Sequence, residues 1–234
     1  LFLTSPVIGD NHKGETLYRW GDPPNHKWMG FGKKEAHPVY KGQVKNGEPN
    51  GLGVMDYLDG VNYFGEWKNG KHHGKGTITF PYSYFKNLKK NVLNKKIKKK
   101  KYEGQWKAGK KHGKGTETYF YRNDAIGEKY EGQWKNGLRH GKGIYTSLNE
   151  PSFEGLYKDD KPIEGIISFP SGSILKGTLC DSDSSPPEPF RPGTQLHGQG
   201  VAIGSEGIEY KGQFKFGLKH GKGEENWPSG TVIK

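Results

Sequence analysis

An all-β protein of short hairpins stacked in tandem is predicted by three observations. A block of about fourteen residues recurs along the chain. Turn dipeptides sit at the centre of several copies. Glycine and aromatic residues take the place of an aliphatic core. Of the 234 residues 37 are glycine, and 13% are Phe, Trp or Tyr out of only 30% hydrophobic residues, so rings packed over glycines fit the mix better than a thick aliphatic core.

Two copies show the block most clearly. Tyr102-Glu-Gly-Gln-Trp106-Lys-Ala-Gly109-Lys-Lys-His112-Gly113-Lys-Gly115 is one, and Tyr130-Glu-Gly-Gln-Trp134-Lys-Asn-Gly137-Leu-Arg-His140-Gly141-Lys-Gly143 is the other. The frame returns from Tyr63 with Trp67, from Tyr40 with Val44 in the Trp place, and from Tyr210 with Phe214 there. Weaker copies open at Phe153 and Leu175, which makes seven copies over 40–234. Residues 1–39 read as an extension holding one degenerate copy, Arg19 to Gly32. The basic period, Tyr40 to Tyr63 and Tyr130 to Phe153, is 23 residues, and longer spacings imply insertions at about 83–101, 122–129 and 180–194. Insertions that leave the repeat phase intact map to loops.

Each block reads as a hairpin. Asn46-Gly47, Asn69-Gly70 and Asn136-Gly137 suit type I′ turns, in which both central residues need positive φ. Alternation puts Tyr102, Gly104 and Trp106 on one face of the first strand, and Gly113, Gly115 and Tyr119 on one face of the second. The same reading makes Tyr63, Trp67, Tyr130, Trp134, Tyr210, Phe214, Gly141 and Gly143 parts of one packed face. A lone hairpin is marginal in water, so the hairpins must stack into an elongated, twisted sheet with neighbour-only contacts.

The frame Tyr-x-Gly-x-Trp-x-Asn-Gly-x-x-His-Gly-x-Gly resembles the MORN (membrane occupation and recognition nexus) repeat, over about residues 40–234. Phe153 to Gly165 and Leu175 to Gly200 depart from it. The resemblance implies a non-catalytic scaffold for protein partners in a larger assembly. It points to the cytoplasm, at a cytoskeleton, cilium or axonemal radial spoke, or at a membrane. It leaves two alternatives: a peripheral module binding anionic lipid, and the regulatory part of an enzyme whose catalytic domain lies outside this sequence.

Charge is unevenly spread. The formal net charge is +12, and residues 86–101 hold nine lysines and no acid, leaving 12 − 9 = +3 for the rest. Lys95, Lys96, Lys98, Lys99, Lys100 and Lys101 are therefore candidate contacts for an acidic protein tail or anionic lipid, although such runs are commonly solvated insertions. No aromatic residues are interleaved with them, which argues against nucleic acid. A second candidate surface is a ladder on the face opposite the glycines. It carries His73, His112, His140, His197 and His220 at one repeat position and Lys75, Lys114, Lys142 and Lys222 two places later.

Chemistry is not expected. Equivalent histidines lie roughly 9–10 Å apart, two strand spacings, too far to share a zinc ion. No P-loop, GxGxxG, GxSxG or HExxH stands in usable context. The single cysteine, Cys180, has no evident partner base. No cofactor, metal or small-molecule substrate is expected, and no stretch approaches the ~18 apolar residues of a membrane span. Glu103 and Glu131 are expected to pair across strands with basic neighbours. The 180–194 stretch is Pro- and Ser-rich, fit to dock a partner or to cover an edge. Ser229 to Lys234 parallels Ser171 to Lys176, which opens a repeat; the chain is expected to stop as another repeat begins.

Overall fold

A computed structural model describes residues 14–87, 97–121, 125–181 and 194–234. Among the described residues, seventeen strands pair in antiparallel fashion. The chain divides into two compact units, Leu1–Lys110 and Lys111–Lys234.

The first unit contains β1 (Glu15–Trp20), β2 (Lys27–Met29), β3 (Val39–Lys45), β4 (Glu48–Asp56), β5 (Asn62–Lys68), β6 (Lys71–Pro81), the short helix α1 (Tyr82–Asn87) and β7 (Ile97–Lys107). From β3 onward each strand pairs with the next in the chain. The Arg19–Gly32 stretch does not continue the array as a repeat would. Its first strand, β1, lies between β2 and β3, whereas in a repeat the second strand meets the next hairpin. Trp28 of β2 still joins the packed face, edge-on to Tyr40 and Trp67 with ring centroids 6.1 and 6.3 Å away.

The second unit follows from β8 (Lys110–Tyr121) through β9 (Ile126–Lys135), β10 (Leu138–Ser147), β11 (Ser152–Lys158), β12 (Lys161–Ser168), β13 (Ile174–Asp181), β14 (Thr194–Ile203), β15 (Glu209–Lys215), β16 (Leu218–Asn226) and β17 (Val232–Ile233). Again neighbours in sequence are neighbours in the sheet. The seven repeats open on β3, β5, β7, β9, β11, β13 and β15.

Two expected insertions are shorter than the spacing suggested. Ile97–Lys101 extend β7 and pair with β6, Lys99 opposite Pro81 and Lys101 opposite Thr79. Ile126–Lys129 belong to β9. The reason is that the hairpins lengthen at their open ends, so residues counted as loop continue the ladder.

The two-residue turns have the backbone that Asn-Gly demands. Asn46, Asn69 and Asn136 have φ of 54, 49 and 54°, each followed by a glycine at positive φ. The same geometry carries Ala108-Gly109, Phe216-Gly217 and Asp159-Asp160, where side chains other than Asn tolerate it. Five of these six turns are tied to the repeat before them. The amide of Gly70 donates to the carbonyl of Pro49 (3.0 Å), Gly109 to His72 (2.9 Å), Gly137 to Lys111 (2.9 Å), Asp160 to Arg139 (2.9 Å) and Gly217 to Leu196 (3.0 Å).

Candidate functional site

The two faces of the sheet differ from the backbone upward. Glycines opposite glycines form one row in each unit. The first runs Gly42, Gly53, Gly65, Gly76, Gly104, and the second runs from Gly115 through Gly132, Gly143 and Gly155 to Gly223. The tyrosines lie flat over this row. A methyl added at Gly76 would collide with the ring of Tyr63, and one at Gly143 with Tyr130. Tyr40, Tyr63 and Tyr102 are wholly buried as a result.

In the first unit each motif tryptophan bridges two repeats. Trp67 stands edge-on to its own Tyr63 and to Tyr40 of the preceding repeat, at 5.2 Å in both cases. Trp106 does the same with Tyr102 (5.1 Å) and Tyr63 (5.4 Å). In the second unit Trp134 meets Tyr130 at 5.1 Å, and Tyr210 meets Phe214 at 5.2 Å. Such pairs contribute about 0.5–1.5 kcal/mol beyond area. The indoles also donate to the preceding repeat: Trp67 to the carbonyl of Gly53 (3.3 Å), Trp106 to Gly76 (3.0 Å), Trp134 to Gly115 (3.1 Å).

A bulge in the second strand explains the rest of the motif. Between the pairs Trp67–His72 and Gly65–Gly76, β5 has one residue and β6 has three. The bulge leaves backbone groups without ladder partners, and side chains satisfy them. The hydroxyl of Tyr63 donates to the carbonyl of Glu66 (3.0 Å), and the Glu66 carboxylate accepts from the amide of Lys75 (2.8 Å). Gly74 sits between them at φ 52°, and its missing side chain leaves the space that the Glu66 carboxylate fills. Gln43 accepts from the amide of Leu52 (2.8 Å) in the same way. Tyr40, Tyr102, Tyr130 and Tyr210 repeat the hydroxyl bond. Sequence reasoning had assigned these Gln and Glu positions no role, though each repeat offered an acceptor side chain three residues after its tyrosine.

One more inward position escaped it. The residue before each motif histidine faces the rings, and it is ionisable in four repeats. His72 stacks on Tyr63 at 3.6 Å, with its Nε2 3.1 Å from the hydroxyl of Tyr57. Burial, reinforced by the Arg19 guanidinium, pulls the imidazole down to about 3, so it is neutral at ordinary pH. Lys111 lies over the Trp134 ring at 4.4 Å and pairs with Glu117. Lys219 lies over Tyr210 at 4.8 Å and pairs with Glu225. Arg139 lies 5.6 Å from the rings of both Tyr130 and Tyr157 and is held by Asp160 at 3.1 Å. A Lys-to-Glu interval of six residues occurs in both lysine repeats, a signal that was present in the sequence.

The predicted contact residues lie on the other face or at its ends. Lys75, Lys114, Lys142, Lys222, His197 and His220 are exposed, while His73, His112 and His140 are half-buried. His73 sits opposite Glu66 and His220 opposite Gln213; the Nδ1 of His140 is 3.4 Å from the Asp159 carboxylate. Lys98 and Lys99 are exposed on β7, and Lys100 lies 5.7 Å from the Phe80 ring. Lys95, Lys96 and most of the 180–194 stretch fall outside the described residues. The cross-strand charge pairs expected of Glu103 and Glu131 are corrected. Glu103 faces Thr77, and Glu131 faces Thr116 and Ile144. Their ion pairs run along the strand instead, Lys101–Glu103 at 2.6 Å and Lys129–Glu131 at 2.7 Å, because residues two apart share a face and a lysine side chain spans the gap.

Among the described residues no helix is long and apolar enough to cross a membrane, and no group of three or more His, Cys, Asp or Glu is placed to hold a metal ion. Comparison with protein families matches the MORN repeat at residues 40–61, 63–81, 102–120, 130–149 and 210–232. No curated protein matches the chain. The matched segments carry the tyrosine–acceptor–glycine set described above, and the copies from Phe153 and Leu175 lie outside them.

Proposed function

Because this chain carries MORN repeats, which are modules of protein and membrane interaction, we propose that it is a non-catalytic scaffold docking protein partners within a cytoskeletal or ciliary assembly of the cytoplasm. One observation carries the reading. In each unit the aromatic and ionisable groups of the inward face are engaged with one another, while the outward face repeats the exposed residues Lys75 in the first unit and Lys114, Lys142 and Lys222 in the second. Extended surfaces of this kind suit long partners rather than a reaction centre.

Detergent extraction of cells expressing the tagged chain tests it. Retention in the insoluble cytoskeletal pellet, with release only at high salt, is the expected result. Full release with membrane lipid overturns the scaffold and leaves the peripheral lipid-binding module. A turnover traced to this chain alone would refute the non-catalytic reading.

A further inference from the structure

We propose that the turn edge of the first unit binds an extended acidic peptide whose carboxylates recur at every third residue. The inference rests on the scaffold reading and names the chemistry of one partner.

Five lysines flank the three turns of this unit. Lys45 precedes Asn46-Gly47, Lys68 and Lys71 bracket Asn69-Gly70, and Lys107 and Lys110 bracket Ala108-Gly109. All five are exposed, and none forms an ion pair among the described residues. Glu48, opposite Lys45, is the one carboxylate flanking these turns. Lys68 stands directly opposite Lys71, and like charges so placed destabilise a sheet. The second unit relieves the same position within itself. Lys135 faces Leu138, Lys215 faces Leu218, and the Lys158–Lys161 pair encloses Asp159 and Asp160. An unrelieved repulsion that packing does not require is explained by an anionic partner.

Spacing selects the partner. Successive turns belong to hairpins two strand spacings apart, roughly 9–10 Å. The bonds from Gly70 to Pro49 (3.0 Å) and from Gly109 to His72 (2.9 Å) fix that interval, so the array is organised before binding. A peptide in the extended polyproline II conformation has three residues per turn and advances ~3.1 Å per residue, so every third side chain lies on one face and meets the next turn after about 9 Å. The turns present Asn, Gly and Ala, which gives single-stranded nucleic acid no ring to stack on and a membrane no apolar anchor.

Fluorescence anisotropy on the full chain tests the proposal. One labelled probe repeats Glu-Ser-Ser four times; its isomer holds the same glutamates in one block. The wild type binds the periodic probe about fivefold tighter than the block. Lys68→Gln/Lys71→Gln/Lys107→Gln/Lys110→Gln, which melts no lower than wild type, weakens the periodic probe about thirtyfold through four lost exposed pairs and erases the preference. Lys135→Gln/Lys158→Gln/Lys161→Gln/Lys215→Gln stays within about threefold. Equal binding of the two probes, an equal loss in the second variant, or displacement of the probe by oligothymidine or phosphatidylserine vesicles at lower concentration overturns it. A chain that stays in the cytoskeletal pellet yet ignores the periodic probe defeats this inference alone. A chain that binds the probe but leaves with the lipid defeats the scaffold alone.

Discussion

Hairpin β5–β6 and hairpin β11–β12 occupy equivalent places in their units but are held by different parts. In β5–β6 the second strand carries two extra residues, and Tyr63, Glu66 and Gly74 satisfy or accommodate the backbone that the bulge exposes. In β11–β12 Phe153 has no hydroxyl and Leu156 no acceptor. There β12 places two residues, Ile163 and Glu164, opposite Leu156, so only one is extra. The tie to the preceding repeat changes as well. Trp67 uses its indole on the carbonyl of Gly53. Tyr157, in the Trp place, has a buried hydroxyl with no hydrogen-bond partner among the described residues, and Asp160 instead accepts from the amide (2.8 Å) and side chain (3.1 Å) of Arg139. The two degenerate copies differ in turn: β11–β12 has no glycine in the bulge, which shrinks, and another side chain makes the link, whereas β13–β14 lacks the tyrosine but keeps Gly198 at positive φ and three residues opposite one.

The comparison breaks most severely at the bulge. Gly74→Val puts a branched side chain at φ 52° and displaces the Glu66 carboxylate, an expected loss of about 3 kcal/mol from backbone strain and one lost bond. Ile163→Gly in the shorter bulge should cost under ~1 kcal/mol. Urea midpoints of the two variants check this; equal losses would show that the bulge classes do not differ in their demand for glycine.

The next effect is acid sensitivity. His72 is held neutral down to about 3, while in the unfolded chain an imidazole titrates near ~6.5. Between those values the unfolded state binds the extra proton, so stability falls as pH falls, by up to ~1.4 kcal/mol per pH unit. The loss begins below the unfolded value and levels off near the folded one. Proline stands at this position in β11–β12 and leucine at Leu196. His72→Leu should therefore flatten the slope between pH 6.5 and 4, read from urea midpoints across that range. An unchanged slope would move the cause elsewhere.

The smallest effect sharpens the contrast. Tyr63→Phe removes the bond to Glu66 and leaves a backbone carbonyl unsatisfied, at about 1 kcal/mol. Tyr157→Phe removes an unpartnered buried hydroxyl and should be neutral or stabilising, within ~0.5 kcal/mol of wild type. Thermal melts distinguish them; equal losses would mean that ring packing alone decides both.

Much of the architecture was legible before the coordinates. Tyr63, Trp67 and the glycine pairs fixed which face packs, and Asn46-Gly47, Asn69-Gly70 and Asn136-Gly137 fixed where the chain turns. Phe153 to Gly165 was recognisable as a departure, but not what replaced the missing parts. His72 and Lys111 read as ordinary residues of a basic stretch, because their inward direction follows from register. The exposed lysines Lys75, Lys114, Lys142 and Lys222 were legible as outward positions of their own repeats, since period two needs only counting.

By itself, then, the sequence determined the repeat, its turns and the glycine-packed face, because these depend on local backbone preference and on alternation that any two copies reveal. Tertiary structure alone decided the tie between repeats, the size of each bulge and the partners of the buried ions. Those depend on which backbone groups remain unsatisfied after pairing, and that is known only when one strand lies against another.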